Sequence, residues 1–138
     1  MATAGYSQMP LAKKLGIKDG FKIRLVNAPA GYLKLFDDLP ANIVFAKEKK
    51  SKKDFVHYFT KEEKELQRDI SSLRDEIKED GMIWISWPKK SSNVPTNIAE
   101  DIIRKIALSN GLVDIKVCAV DDVWSGLKLV IPVKLRKL

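Results

Sequence analysis

The chain has 138 residues, enough for one domain of ordinary size, and its 45% hydrophobic content suits one packed core and excludes global disorder. A formal charge of +7 favours anionic partners such as a phosphorylated metabolite, a nucleotide, a nucleic acid or an acidic protein, although surplus lysine also serves solubility alone. One cysteine and one histidine exclude an internal disulfide and a Cys/His zinc centre, and no apolar run approaches membrane-spanning length.

Residues 1–9 read as an N-terminal arm of small and polar types within a single domain spanning 1–138. The start, Met1 to Tyr6, lacks the basic residues and apolar run of a secretory signal, so a cytoplasmic protein is expected. Pro10 to Gly16 forms one helical turn, with Leu11 and Leu15 on one face and Gly16 as its stop. The alternating run Phe21 to Val26 is the first strand, and Asn27 to Gly31 is the turn after it. A short helix is expected over Tyr32 to Asp38, with Leu33 and Phe36 facing inward, and a short apolar second strand over Asn42 to Ala46. The run 47–53, with five lysines in seven residues, reads as an exposed loop.

Phe55 to Phe59 is the third strand. Thr60 and Glu63 then stand in T-x-x-E spacing, which predicts a capping box, and Leu66, Ile70, Leu73 and Ile77 form the apolar stripe of a helix ended by Asp80-Gly81. Met82 to Trp87 is apolar on both faces, as a central strand covered by helices should be. Pro88 to Pro95 is a loop, Thr96 is a candidate N-cap, and Ile98, Ile102 and Ile106 line a helix that stops at Asn110-Gly111. In the fifth strand Val113, Ile115, Val117 and Ala119 alternate with Asp114, Lys116 and Cys118. A turn over Asp121 to Gly126 leads to a sixth strand carrying Leu127, Leu129, Ile131 and Val133, paired back on the fifth as a hairpin.

Strands alternating with helices imply an α/β protein with three layers, a mostly parallel sheet between helices. An antiparallel C-terminal hairpin separates the methyltransferase-like variant of the Rossmann-like folds from plain dinucleotide-binding domains. The expected strand order is 2-1-3-4-6-5. One strand and its helix near residue 50 would be missing relative to a full methyltransferase sheet, their place taken by the basic loop.

Three stretches carry a resemblance: Ala4 to Ser7 with Pro10 to Gly16, Trp87 to Ser92, and Trp124 to Val130. Together they resemble a bacterial family of small proteins labelled only as a domain of unknown function, DUF3052. The resemblance implies a Rossmann-like fold and no assigned activity.

Candidate chemistry follows from placement. S-adenosylmethionine normally rests on a glycine-rich turn after the first strand, where missing side chains let backbone approach the ligand, and an acid after the second strand holds the ribose. Here that turn, Asn27 to Tyr32, has one glycine and a proline, and the nearby acid, Glu48, sits among lysines. No cofactor is therefore evident, and a divergent methyltransferase is the alternative to a non-catalytic binding protein. Lys89, Lys90, Ser91 and Ser92 leave the C-terminal end of a central strand before a helix expected at Thr96, which suits a phosphate or carboxylate. The same residue types also serve a solvated loop before a capped helix. Asn27, Gly31, Tyr32, Thr60 and Trp87 are candidates for the adjoining crevice.

Asp121, Asp122, Trp124 and Ser125 offer carboxylates and an indole, or simple turn chemistry. His57, between Val56 and Tyr58, reads as a partly buried structural histidine, and nothing marks Cys118 as an activated thiolate. The lysine run supports non-specific nucleic-acid binding as a second alternative, weakened by the lack of interleaved aromatics. The leading expectation is a non-catalytic protein binding a small anion or acidic partner, with no metal and no membrane contact.

Overall fold

The computed structural model describes residues 9–137, so the expected arm, apart from Met9, lies outside the described residues. The elements are α1 (Leu11–Leu15), β1 (Lys22–Val26), β2 (Val44–Phe45), β3 (Lys53–Phe59), α2 (Glu63–Glu76), β4 (Ile77–Pro88), α3 (Glu100–Ser109), β5 (Val113–Ala119) and β6 (Trp124–Val130). The sheet runs β2-β1-β3-β4-β6-β5, the order expected from the sequence. β1 pairs in parallel with β2 and β3, and β3 with β4, while β6 lies antiparallel between β4 and β5.

The two faces are covered differently. On one, Leu66, Ile70 and Leu73 of α2 and Ile103 and Ile106 of α3 pack on Val56, Tyr58, Ile83, Ile85, Leu127 and Leu129. Fully burying each such aliphatic side chain contributes roughly 2 kcal/mol. Helices were expected on the other face too, but its cover is the five-residue α1 and a single 3-10 turn at Tyr32–Leu35. Pro29, Gly31 and Pro40 interrupt the β1–β2 connection and leave no uninterrupted stretch long enough for a helix of several turns. Ala12, Leu15 and Ile17 there meet Ile23, Phe55, Met82, Trp84 and Val130.

Residues on this second face line up in cross-strand rows. Ile23, Phe55, Met82, Val130 and Val113 form one, and Leu25, His57, Trp84, Lys128 and Lys116 the next. Phe59, Ser86, Gly126 and Cys118 form the third. The fifth strand departs from the expected alternation. Asp114 opposes Leu129 and Lys116 opposes Lys128, so Ile115 is one residue too many. This bulge reverses the pleat, which places Val113 and Cys118 on one face and leaves Ile115 and Val117 59% and 45% exposed.

Other expectations are corrected locally. Leu33 is half exposed, and Tyr32 takes the buried position because a 3-10 turn has a different period from the expected α-helix. α2 stops at Glu76 rather than Asp80-Gly81, since Ile77 already pairs with Lys53, and the register then shifts so that Phe55 meets Met82. The capping box does not form: Thr60 Oγ1 donates to Glu65, and the Glu63 N–H is capped by Asn97 Oδ1 at 2.8 Å. α3 begins at Glu100, so Thr96 does not cap it; its hydroxyl donates to the Lys61 carbonyl. Ile102 is only partly buried, whereas Ile103 is fully buried. β6 starts at Trp124, and Val133 lies exposed in a final 3-10 turn.

The basic run also ends differently. Lys53 opens β3 fully buried, 3.2 Å from the buried Glu76 carboxylate, which Arg24 grips with two nitrogens at 2.5 and 2.8 Å. Lys53 donates further to the carbonyls of Glu48 and Ser51. Breaking a buried pair leaves an uncompensated charge, which costs more than the pair contributes. Glu76→Gln is therefore expected to lower the unfolding free energy by about 3–5 kcal/mol in urea titrations. A loss no larger than a surface substitution would contradict the role assigned to this triad.

Candidate functional site

The C-terminal ends of β1, β3 and β4 meet the loop before β6, and there two of the resembling stretches become neighbours. Pro88 opposes Trp124 across the β4–β6 ladder, and the Lys89 N–H donates to the Val123 carbonyl at 2.8 Å. Asp121 Oδ1 accepts from the N–H groups of Val123 and Trp124, both at 2.8 Å, so this carboxylate forms the turn. Ser125 opposes Trp87. The N-terminal stretch joins lower down, where Trp84 Nε1 donates to the Leu15 carbonyl.

Aromatic rings fill the second face below this rim. His57 stacks on Phe59 with centroids 4.2 Å apart, Tyr32 meets both edge-on, and Trp124 stands edge-on to Phe59 at 5.0 Å. His57 is completely buried, deeper than the partial burial expected. Its Nδ1 lies 2.8 Å from the Tyr32 hydroxyl and its Nε2 2.7 Å from the Ser86 hydroxyl. Burial pushes the imidazole down to about 3 and the Tyr32 phenol up. At neutral pH this is a neutral imidazole closed off from solvent, with both ring nitrogens engaged by hydroxyls.

The remaining crevice candidates divide. Asn27 adopts a left-handed conformation (φ 57°) and donates from Nδ2 to the Phe59 carbonyl, and Gly31 is left-handed at φ 81° with open space beside it. Thr60 is buried and committed to Glu62 and Glu65. Trp87 is corrected: its ring belongs to the core under α2 and α3, on the opposite face from Tyr32 and His57, because odd positions of β4 point that way.

Lys90–Ser92 form a 3-10 turn rather than the approach to a helix N-terminus. Ser92 donates its hydroxyl to the Lys89 carbonyl, Thr96 is tied to Lys61, and Ser91 is exposed. α3 carries Glu100 and Asp101 in its first turn, which already answer its dipole. Glu48 accepts from Ser51 Oγ at 2.6 Å and from Lys53, and the Ser51 hydrogen bond holds its carboxyl below the usual range. Cys118 is half-buried, and burial pushes its thiol up. A separate groove of about 470 Å³, lined among others by Gln67, Ile102, Lys105 and Ser109, runs between α2 and α3 on the other side of the sheet. Among the described residues no cluster of His, Cys, Asp and Glu is arranged to hold a metal ion, and no helix is long and apolar enough to cross a membrane.

The family described as "Protein of unknown function (DUF3052)" matches residues 36–133. The chain belongs to this family. The matched span includes every part of the rim except Asn27, Gly31 and Tyr32. The sequence matches none of the curated proteins.

In solved structures the DUF3052 chain is similar to a ribosomal protein L11 methylase from Lactobacillus delbrueckii subsp. bulgaricus (TM-score 0.57, 14% identity, 87% of this chain and 74% of that one). It is also similar to a SAM-dependent methyltransferase from Aquifex aeolicus (0.56, 16%, 87% of each chain). A third is magnesium protoporphyrin IX methyltransferase from Synechocystis PCC 6803, solved with bound SAH (0.57, 14%, 86% and 78%). At such identities the likeness shows the fold: a Rossmann-like, methyltransferase-like α/β sheet.

The aromatic cluster was missed from the sequence, although Phe55, His57 and Phe59 at alternate positions were its signal. The buried imidazole makes stability depend on acid. Unfolded, histidine protonates near its ordinary pKa of about 6.5. Folded, it stays neutral down to about 3, so stability is complete above 6.5 and is lost as pH falls towards 3. The expected slope from this residue is about 1.4 kcal/mol per pH unit in that window. Urea titrations at pH 7, 5.5 and 4.5 should show a shallower acid loss in His57→Gln than in the unaltered protein, and equal slopes would refute this assignment.

Proposed function

We propose that this chain is a non-catalytic, methyltransferase-like binding domain that takes the anionic group of a small molecule or an acidic protein surface at the C-terminal rim of its sheet. The observation carrying this reading is the placement of Lys89 and Lys90. The Lys89 N–H is pinned to the Val123 carbonyl beside Trp124, Lys90 follows it in a 3-10 turn, and among the described residues neither ammonium group is engaged in an ion pair. Open α/β sheets bind ligands outside the carboxyl ends of their strands, where these two cations stand.

S-adenosylmethionine does not suit the residues present. The Tyr32 side chain packs down onto His57 and Phe59 directly after the turn, and a 3-10 turn replaces the helix that would follow a glycine-rich cradle. Glu48, the acid nearest the ribose position, is already bonded to Ser51 and Lys53. Fold alone does not carry the transferase chemistry.

Calorimetry with citrate, inorganic phosphate and an oligo-aspartate peptide tests the rim. Saturable binding of at least one, weakened tenfold or more in the double variant K89E/K90E, is expected; equal affinity in that variant would remove the rim as the site. Millimolar S-adenosylmethionine is expected to leave the thermal midpoint unmoved. A saturable rise with the cofactor would restore the divergent methyltransferase in place of this reading.

A further inference from the structure

Away from the rim, four lysines gather on the second sheet face, while Asp38 is taken up by the N–H groups of Ala12 and Lys13 at the start of α1. Lys116 of β5 stands directly opposite Lys128 of β6, an arrangement in which like charges repel across the ladder. Lys14, in α1, is buried along its stem, and its backbone carbonyl receives the Lys116 ammonium at 2.9 Å. Lys128 Nζ reaches towards the turn after α1, to within 3.8 Å of where a Cβ on Gly16 would lie. Lys18 follows two residues later and acts on Lys128 as a further like charge.

None of the ion pairs among the described residues involves any of these four lysines. Asp19, the acid beside Lys18, is bonded to Asn42. Residues 1–8 contain no acidic side chain. Burial, with Lys116 and Lys18 adding to it, holds the Lys128 ammonium below the ordinary lysine range.

The floor between the four is firm. Gly126 and Cys118 lie in the row next to Lys128 and Lys116, and the Trp84 ring covers Gly126 so closely that a Cβ there would lie 3.0 Å from it. Cys118 is half-buried within reach of the Lys14 and Lys116 charges. Lys14 is buried, Lys128 half-buried, and Lys116 and Lys18 exposed, so the repulsion among them is partly screened by water, and a multiply charged oxyanion standing between them relieves it.

We propose that Lys14, Lys18, Lys116 and Lys128 form a binding site for a phosphate-class polyanion on the α1 side of the β5–β6 hairpin. Lysines carried by α1, the turn after it and two strands can offer several ammonium groups to one ligand, as the oxygens of a diphosphate or a phosphorylated metabolite require. The site is two cross-strand rows below the rim and does not depend on the rim's function.

Pyrophosphate is the probe. It is expected to raise the thermal midpoint saturably in the unaltered protein and in K89E/K90E, while K116M/K128M binds it at least tenfold more weakly. Persistence in K116M/K128M, or no saturable response in the unaltered protein, overturns the site. K128M by itself, keeping the stem and removing the charge, is expected to melt higher than the unaltered protein without pyrophosphate; a lower midpoint contradicts the repulsion. Independently of any variant, pyrophosphate should slow alkylation of Cys118 by N-ethylmaleimide at pH 8, and an unchanged rate counts against the site.

Discussion

Both ring nitrogens of His57 are engaged by hydroxyls from distant parts of the chain, Tyr32 after β1 and Ser86 in β4, and the cover of one sheet face depends on that line. The β1–β2 connection contains no α-helix to lay across β1 and β3. Instead a four-residue 3-10 turn lowers Tyr32 onto the sheet, and the phenol fastens the turn there. A single hydrogen bond contributes only about 1 kcal/mol net, but leaving a buried donor or acceptor unpaired costs about 1–3 kcal/mol. The line is therefore stiff: Tyr32, His57 and Ser86 satisfy one another only when the turn, β3 and β4 are all in register.

Aromatic rings and the short α1 together cover the face on which longer helices were expected. This cover also changes what the end of the sheet offers. The space after β1 is taken by a ring rather than left open over glycine, and polar groups nearby are spent on the protein itself: Asn27 on Phe59, Thr60 on Glu65, Asp121 on its own turn. Lys89 and Lys90, by contrast, form no ion pair among the described residues. Sheets of one architecture host unrelated functions, so the topology shared with the methyltransferases shows the fold alone.

Charge is handled in two opposite ways. Beneath β1 and β3 the cations Arg24 and Lys53 close around Glu76, so a buried carboxylate answers two buried positive groups. Beside β5 and β6 Lys116 faces Lys128, and neither they nor Lys14 and Lys18 take part in an ion pair among the described residues. The first arrangement completes itself and reads as structure. The second leaves Lys116 and Lys128 facing one another across the ladder with no ion pair, which is the arrangement proposed above as an anion site.

Periodicity determined the order of elements and the stripe of Leu66, Ile70 and Leu73, because burial on a helix or strand face is a local, repeating demand, while the sheet order was expected from the alternation of strands with helices and the methyltransferase-like pattern of a terminal hairpin. Stretches shared with the family located the rim loops for the same local reason. Tertiary structure alone decided what those residues touch. Asn97 rather than Thr60 caps α2, an extra residue at Ile115 turns Lys116 and Cys118 onto the face of Lys128, and Glu76 finds Arg24 fifty-two positions away. Each of these depends on which strand lies beside which and in what register, and a charge or hydroxyl in a sequence carries no record of its distant neighbour.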